Sequence, residues 1–388
     1  MKPRIPKVTS AKLVGGLLCA CLLAAAGVLA QSTLASTTTM RAAVATAGAP
    51  SLHVSGRGLF SAHGRHVVLH GVNRPGGEFM CVKGRGIWDG PMNQASVTAM
   101  KTWHVNAVRV PLNEACWNGE SYVMPQYRYG NYRRAVVAYV QLLNRNGIVA
   151  ILDLHWTDGL YTGPHGHCAT TAQARCQKPM PDAAQSIPFW ISMARTFKTN
   201  NAVVFDVFNE PFPERVTGAT EAEAWKCWLR GSPFCTGIGY RVAGMQSLVN
   251  AIRSTGARNV IMLGGLQYAN DLSGWLTHAP RDPDRNLVAS WHYYPWNACS
   301  GPLCWNRQVA PVIARIPVVV GEMGETNCAD NFINPLMRWL DVRSTSYLAW
   351  SWNATWACTD PGPSLISSWA GAPTPYGAGY RAHLRALK

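Results

Sequence analysis

Charge is scarce in this sequence: 14% of its 388 residues are Asp, Glu, Lys or Arg. Acids are the rarer sign, 20 against 35 Lys and Arg. With 48% hydrophobic residues alongside, so little charge excludes an intrinsically disordered chain. No apolar run beyond the N-terminus reaches the roughly 18–20 residues of a membrane span, which excludes a helical transporter. Gly and Pro are spread too evenly for a coiled coil, and no internal repeat is present. There is no C-x-x-C pair of the structural-zinc kind. There is also no long Lys/Arg run or basic helical stripe of the kind that tracks phosphates. What remains is a well-cored chain of one large domain or two small ones.

The formal net charge of +15 is partly an N-terminal property. Residues 1–50 contain Lys2, Arg4, Lys7, Lys12 and Arg41 and no acid, leaving 30 basic and 20 acidic residues beyond them. Those 30 are scattered, so the charge gives no reason to expect a nucleic-acid partner. Four of the leading cations precede an apolar stretch, Leu13–Ala30, that ends on the small residues of Val28-Leu29-Ala30. This is the layout of a secretory signal peptide over residues 1–30, with an uncleaved signal-anchor as the alternative. Residues 31–50 are rich in Ser, Thr and Ala without aromatics and read as a flexible tether. The expectation is a secreted, extracellular protein, off the membrane once the signal is cleaved, with residues 51–388 as its working domain and a monomer as the default state.

Cysteine usage fits export. Setting aside Cys19 and Cys21 leaves ten of the 12 cysteines, an even number that suits up to five disulfides in an oxidising compartment. Cys168 and Cys176, Cys227 and Cys235, and Cys299 and Cys304 are close in sequence. Cys81 with Cys116 and Cys328 with Cys358 would use the rest, and other connectivities stay open. The short cluster His165-Gly166-His167-Cys168 offers metal-ligand types, but the expectation is no metal.

From residue 51 onward, short β-branched apolar runs alternate with longer amphipathic segments. Leu52-His53-Val54 and Leu59-Phe60, with Gly56 and Gly58 nearby, read as a hairpin. Eight strand candidates follow, beginning at Val67, Val105, Ile148, Val203, Val260, Leu287, Pro317 and Tyr347. Nearly continuous apolar strands imply burial on both faces, as in a parallel sheet covered by helices. Eight such units suit an α/β fold of (β/α)8 TIM-barrel type, with an N-terminal β-hairpin and disulfide-stapled loops. A doubly wound open sheet is the alternative, but no G-x-G-x-x-G follows the first strand. A barrel requires polar residues at the strand ends to converge on one rim. Asn73, Arg109, Asp153, His155, Asn209, Glu210, His292, Tyr294, Glu322 and Trp352 fall at such places.

Asn209-Glu210-Pro211 follows the fourth strand and Gly321-Glu322 the seventh. Two carboxylates on one rim are the minimum equipment for cleaving a glycosidic bond: one protonates the leaving oxygen, the other attacks the anomeric carbon. If strands four and seven face each other, the carboxyls come within about 5–5.5 Å, the retaining separation.

In this setting the chain resembles glycoside hydrolase family 5, the cellulase-like retaining β-glycanases. The resemblance runs from about His70 to Trp352. It rests on Val207-Phe208-Asn209-Glu210-Pro211, Val320-Gly321-Glu322, Arg109-Val110-Pro111, Leu154-His155, His292-Tyr293-Tyr294 and Trp350-Ser351-Trp352-Asn353, in the family's order. It implies Glu210 as acid/base and Glu322 as nucleophile, with Arg109 and Tyr294 supporting Glu322 and Asn209 on the sugar 2-hydroxyl. It further implies that His155 and His292 contact substrate or position the carboxylates, and that Trp352 stacks on the sugar, with Trp350 second. Among 16 Trp, Trp88, Trp117, Trp156, Trp296 and Trp356 lie near strand ends and are candidate sugar platforms, since aromatic faces cover the apolar C–H face of a sugar. Trp103, Trp190 and Trp339 are expected in the core, and Asp153 and Asn73 as organisers of the rim. Glu325 is the nearest competitor to Glu322, with a loop role preferred. The implied activity is an endo-β-1,4-glucanase acting on a polysaccharide or oligosaccharide, with no cofactor. Its rivals are a β-mannanase, an exo-β-glucanase or another hemicellulase, and, from another class, a catalytically silent carbohydrate-binding protein.

Overall fold

The computed structural model describes residues 48–163, 172–359 and 362–387. The expected signal peptide, most of the tether, and His165, His167 and Cys168 lie outside the described residues.

The chain opens with a small antiparallel sheet, β1 (Leu52–Ser55), β2 (Gly58–Ser61) and β3 (His66–Val67). Gly56, at φ 56°, makes the tight turn between the first two strands, a left-handed position that costs glycine nothing. The sheet has a third strand where a two-stranded hairpin was expected. Val67 belongs to it, so the first barrel strand begins at His70, three residues later than its apolar run suggests.

Eight parallel strands close the barrel: β4 (His70–Asn73), β5 (Ala107–Asn113), β6 (Val149–Trp156), β7 (Val203–Asp206), β8 (Ile261–Gly264), β9 (Leu287–Tyr293), β10 (Val318–Met323) and β11 (Ser346–Ala349). They pair in sequence order, and β11 returns to β4. Alternate residues point inward. Near the N-terminal mouth these are apolar: Ala107, Val149, Ile151, Val204, Met262, Val288, Val319 and Leu348 pack with Leu52, Leu59 and Leu69. The small sheet therefore plugs the bottom of the barrel, each buried Leu contributing about 1.5–3 kcal/mol. Two residues further along the same strands the inward positions become Arg109, Asp153 and Asp206, which moves the chemistry to the C-terminal mouth.

The outer layer follows helical periodicity. Helix Gly130–Arg145 buries Tyr132, Val136, Tyr139, Val140 and Leu143, and helix Ile333–Asp341 buries Ile333, Leu336, Met337 and Leu340. Each set marks one face at spacings of three and four. Between β8 and β9 the usual helix is replaced by a short turn in which Gln267, Tyr268 and Ala269 all have positive φ. Disulfides join Cys81–Cys116, Cys227–Cys235, Cys299–Cys304 and Cys328–Cys358. Cys176 is also disulfide-bonded, its expected partner Cys168 lying outside the described residues.

Candidate active site

Arg109 is the hub of the C-terminal mouth. It is fully buried on β5, and its guanidinium meets side chains from four other strands, β4, β6, β7 and β10. Nε donates to Asp206 at 2.8 Å, Nη1 to Glu322 at 2.6 Å and to Asn73 at 3.1 Å, and Nη2 to Asn209 at 2.8 Å. Nη2 also lies 3.0 Å from Asp153. A planar fork with five N–H donors can hold so many acceptors in one plane where a lysine cannot. Asn73 passes the constraint on by donating to the carbonyl of Gly321. Asp153 and Asn73 are thus organisers of the rim, as expected, whereas Asp206 was missed. Its signal was its inward position on β7, in register with Asp153 on β6.

Three carboxylates around one buried guanidinium cannot all ionise freely. Burial pushes Asp153 up to about 7 and Asp206 up to about 8; the Arg109 charge opposes both shifts, and for Asp206 the neighbouring Asp153 adds to burial. Burial works against the charge on Arg109, but Asp153, Asp206 and Glu322 outweigh it and hold the guanidinium protonated.

Glu322 reaches the site through a β-bulge. Along β10, Val320 pairs with Trp291 and Glu322 with His292, so Gly321 is the extra residue between them. A bulge reverses the side-chain alternation beyond it, turning Glu322 into the barrel rather than out. Glycine is required there for space: a Cβ at 321 would lie 2.8 Å from Ser290 Oγ and 2.9 Å from His292 Nε2. The Glu322 carboxylate accepts from Arg109 on one oxygen and from the Tyr294 hydroxyl, at 2.7 Å, on the other. Burial and the Glu322 charge keep the Tyr294 hydroxyl far above its ordinary pKa, so it stays a donor.

Glu210, just past the end of β7, sits 2.9 Å from His292 Nδ1 through its Oε1. A ligand-type atom from each of Glu210, His292 and Glu322 lies within 4.8 Å of the others. Strands four and seven, which were expected to lie across the barrel from each other, are instead three steps apart around it. The two carboxyls meet because both lean over the mouth. Among the described residues this trio could also hold a metal ion. Its groups are, however, engaged with one another and with the Arg109 cation. Burial pushes His292 down to about 3 and His155 down to about 4, so both imidazoles are neutral near pH 7. His155 Nδ1 is held by Asp153 at 2.7 Å. Glu325 is not a rival nucleophile: it accepts from the N–H groups of Phe332 and Ile333, at the start of helix Ile333–Asp341.

The tryptophans divide differently from expectation. Trp352 has no solvent exposure and packs edge-on against Trp103 in the core, so it is not a platform at the mouth. Trp350 takes that place, stacked on His155 with ring centroids 5.5 Å apart and 14° between planes. Trp117 is likewise buried, against Phe189, because it lies on the inner face of a short helix. Trp88 is a half-buried wedge against Tyr139. Trp156 and Trp356 remain accessible, continuing from Trp350 through Phe79 as an aromatic wall. Trp296, 58% exposed, stacks on Tyr294. Trp103 and Trp190 are core residues as expected, and Trp339 is half-buried against Trp305.

A family model described as Cellulase (glycosyl hydrolase family 5) matches residues 61–355. Among solved structures, the chain is similar to a β-glucanase from Saccharophagus degradans, at 18% identity over 87% of this chain and 94% of that one, with a TM-score of 0.65. It is similar also to a hyperthermophilic endocellulase from the archaeon Pyrococcus horikoshii, at 16% identity, 87% and 99% coverage and a TM-score of 0.62. A β-mannanase from Thermomonospora fusca matches at 16% identity, 85% and 93% coverage and a TM-score of 0.56. At these identities the structural likeness establishes a shared barrel.

Proposed function

The chain belongs to glycosyl hydrolase family 5, and on that premise we propose that it is a secreted retaining endo-β-1,4-glucanase. The observation that carries the reading is the pair Glu210 and Glu322, with carboxylate oxygens within 4.8 Å. So close an approach suits direct attack by one carboxylate, the retaining arrangement, rather than the wider spacing that places a water between the two.

Glu322, with both oxygens already accepting hydrogen bonds, attacks the anomeric carbon as the bond to the leaving oxygen breaks. Glu210 gives its proton to that oxygen. The resulting glycosyl-enzyme ester is then cleaved by water, which loses a proton to the Glu210 carboxylate and frees Glu322. Asn209 uses its amide oxygen on Arg109, which leaves its NH2 to donate to the sugar 2-hydroxyl. His155, anchored by Asp153, turns its other ring nitrogen to the substrate, and Trp350 covers a sugar face. Four disulfides among the described residues and a ninth bonded cysteine, Cys176, favour an oxidising, extracellular setting.

The family model is described as Cellulase, which makes glucan the first substrate to try, while neighbouring structures that hold cellotetraose and mannotriose keep mannan in the comparison. Reducing-sugar release from cellulose, mixed-linkage glucan, mannan and xylan in parallel tests the substrate. Mannan as the preferred substrate would replace the glucanase reading with a mannanase one. Glu210→Gln and Glu322→Gln should each lose about 10²–10⁴-fold or more in turnover while staying folded. Azide should rescue Glu322→Gly with an inverted product, and NMR should show a first product of retained configuration; an inverted first product rejects the mechanism.

A further inference from the structure

We propose that Gln177, on the long loop between β6 and helix Ser186–Phe197, is a positioning residue for the acid/base Glu210. The inference rests on the role given to Glu210 above.

The side-chain amide of Gln177 pairs with the main chain of Glu210 at both ends. Its Oε1 accepts from the Glu210 N–H at 2.9 Å, and its Nε2 donates to the Glu210 carbonyl. Glu210 lies beyond the last residue of β7, where the barrel ladder has ended, so a side chain does there what a neighbouring strand does elsewhere.

Gln177 is itself held on both sides. The carbonyl of Cys176 accepts from the Thr157 N–H at 3.0 Å, and the N–H of Lys178 donates to Thr157 Oγ1 at 2.9 Å. Thr157 immediately follows β6. Cys176 is in a disulfide, and the buried Lys178 ammonium meets Asp182 at 2.7 Å. The amide is thus fixed to the barrel before it meets Glu210. At the other end of the same residue, the carboxyl is fixed by His292 at 2.9 Å. Two points on the main chain and one on the side chain define where the proton is delivered. Releasing the main chain lets the carboxyl swing away from the leaving oxygen without disturbing Glu322.

A residue that aims a general acid has a signature that a mere loop staple lacks. Leaving groups that need a proton should suffer, and those that depart unaided should not. The test compares kcat/KM, which reports the first chemical step, for phenyl β-cellobioside and 2,4-dinitrophenyl β-cellobioside. Gln177→Leu should lose about 10–100-fold on the phenyl substrate and less than about threefold on the dinitrophenyl one. Gln177→Glu, which keeps the acceptor and loses the donor, should fall in between, and it serves if the Leu variant does not fold. Equal losses on both substrates, or none on either, would overturn the proposal. If the wild-type protein cleaves neither cellobioside, the glucanase reading has failed rather than this one. The Glu210 titration, followed by carbon-13 NMR and assigned with Glu210→Gln, then decides. A midpoint displaced by about half a pH unit or more in Gln177→Leu supports positioning, and an unchanged midpoint overturns it.

Discussion

Gly321 faces His292 so closely that a Cβ on the glycine would lie 2.9 Å from the imidazole Nε2. The same glycine is the inserted residue of the bulge that turns Glu322 into the barrel, and its carbonyl is tied to Asn73. Its φ is not in the left-handed region, so the need is for room rather than for an unusual backbone. Gly321→Ala must displace Ser290 Oγ and the His292 ring, and His292 holds the Glu210 carboxyl. A misplacement of about 1 Å costs on the order of 10²-fold in rate. The variant should therefore lose kcat by about that factor while its circular dichroism stays native. Wild-type kcat would show that the strand absorbs the methyl group.

Arg109 carries the positive charge that faces the buried acids Asp153, Asp206 and Glu322. Removing one partner of a buried ion pair leaves an uncompensated charge, at about 3–5 kcal/mol. Arg109→Met, which preserves much of the volume, leaves Asp153, Asp206 and Glu322 facing one another. It should lower unfolding free energy by about that amount in urea titrations. Arg109→Lys should recover part of the stability but little of the activity, because an ammonium cannot reach all the acceptors the fork holds. A loss under about 1 kcal/mol in Arg109→Met would mean that the acids already share enough protons to stand alone.

The strand pattern was readable because buried parallel strands are continuous apolar runs. Seven of the eight runs became barrel strands, and the first is split between β3 of the small sheet and β4 of the barrel. The site was readable where function imposes a local word: Asn209-Glu210-Pro211, Gly321-Glu322, His292-Tyr293-Tyr294. It was not readable where geometry is set by residues far apart in sequence. Asp206 looks like an ordinary strand-end acid until β6 places Asp153 beside it. Gln177 sits in a loop whose sequence carries no motif and acquires meaning only against the main chain of Glu210. Trp350 and Trp352 are two residues apart, and only the packing of Trp103 and Gly371 against Trp352 shows which of them is core.

That division of labour between Trp350 and Trp352 can be separated experimentally. Trp350 is 9% exposed beside His155, whereas Trp352 is completely buried. Trp350→Ala should raise KM or lower kcat/KM on oligosaccharides, with a smaller loss of stability than the same truncation at Trp352. Trp352→Ala should cost about 3–5 kcal/mol of stability through the cavity it leaves. If instead Trp352→Ala were stable and selectively defective in substrate binding, the core assignment would be wrong.

The pH dependence of stability follows from acids held in their neutral form. Burial pushes Glu78 up to about 8, with Asp89 and Asp153 adding to it against the hydrogen bonds from the backbone. Burial likewise raises Glu114 to about 8, alongside Asp153 and Asp206. In each case the folded protein still binds a proton that the unfolded chain has lost. Their stabilisation is complete below the ordinary carboxyl range and disappears as pH rises through the folded values, so unfolding free energy must fall with rising pH. His70, His155 and His292 run the other way, since burial lowers the first two to about 4 and the third to about 3. Their effect is confined below 6.5, where the unfolded chain takes up the extra protons. Between pH 6.5 and about 8 the carboxyls act without that opposition, and the melting temperature should decline steadily. Glu78→Gln keeps the neutral shape and can still accept from the Gly76 N–H, the contact Glu78 makes at 2.7 Å. It should therefore flatten part of that decline without touching Glu210 or Glu322. Calorimetric scans at half-unit intervals across this range decide the matter. A melting temperature independent of pH there, or a slope identical in Glu78→Gln, would show that these acids are ionised in the folded protein.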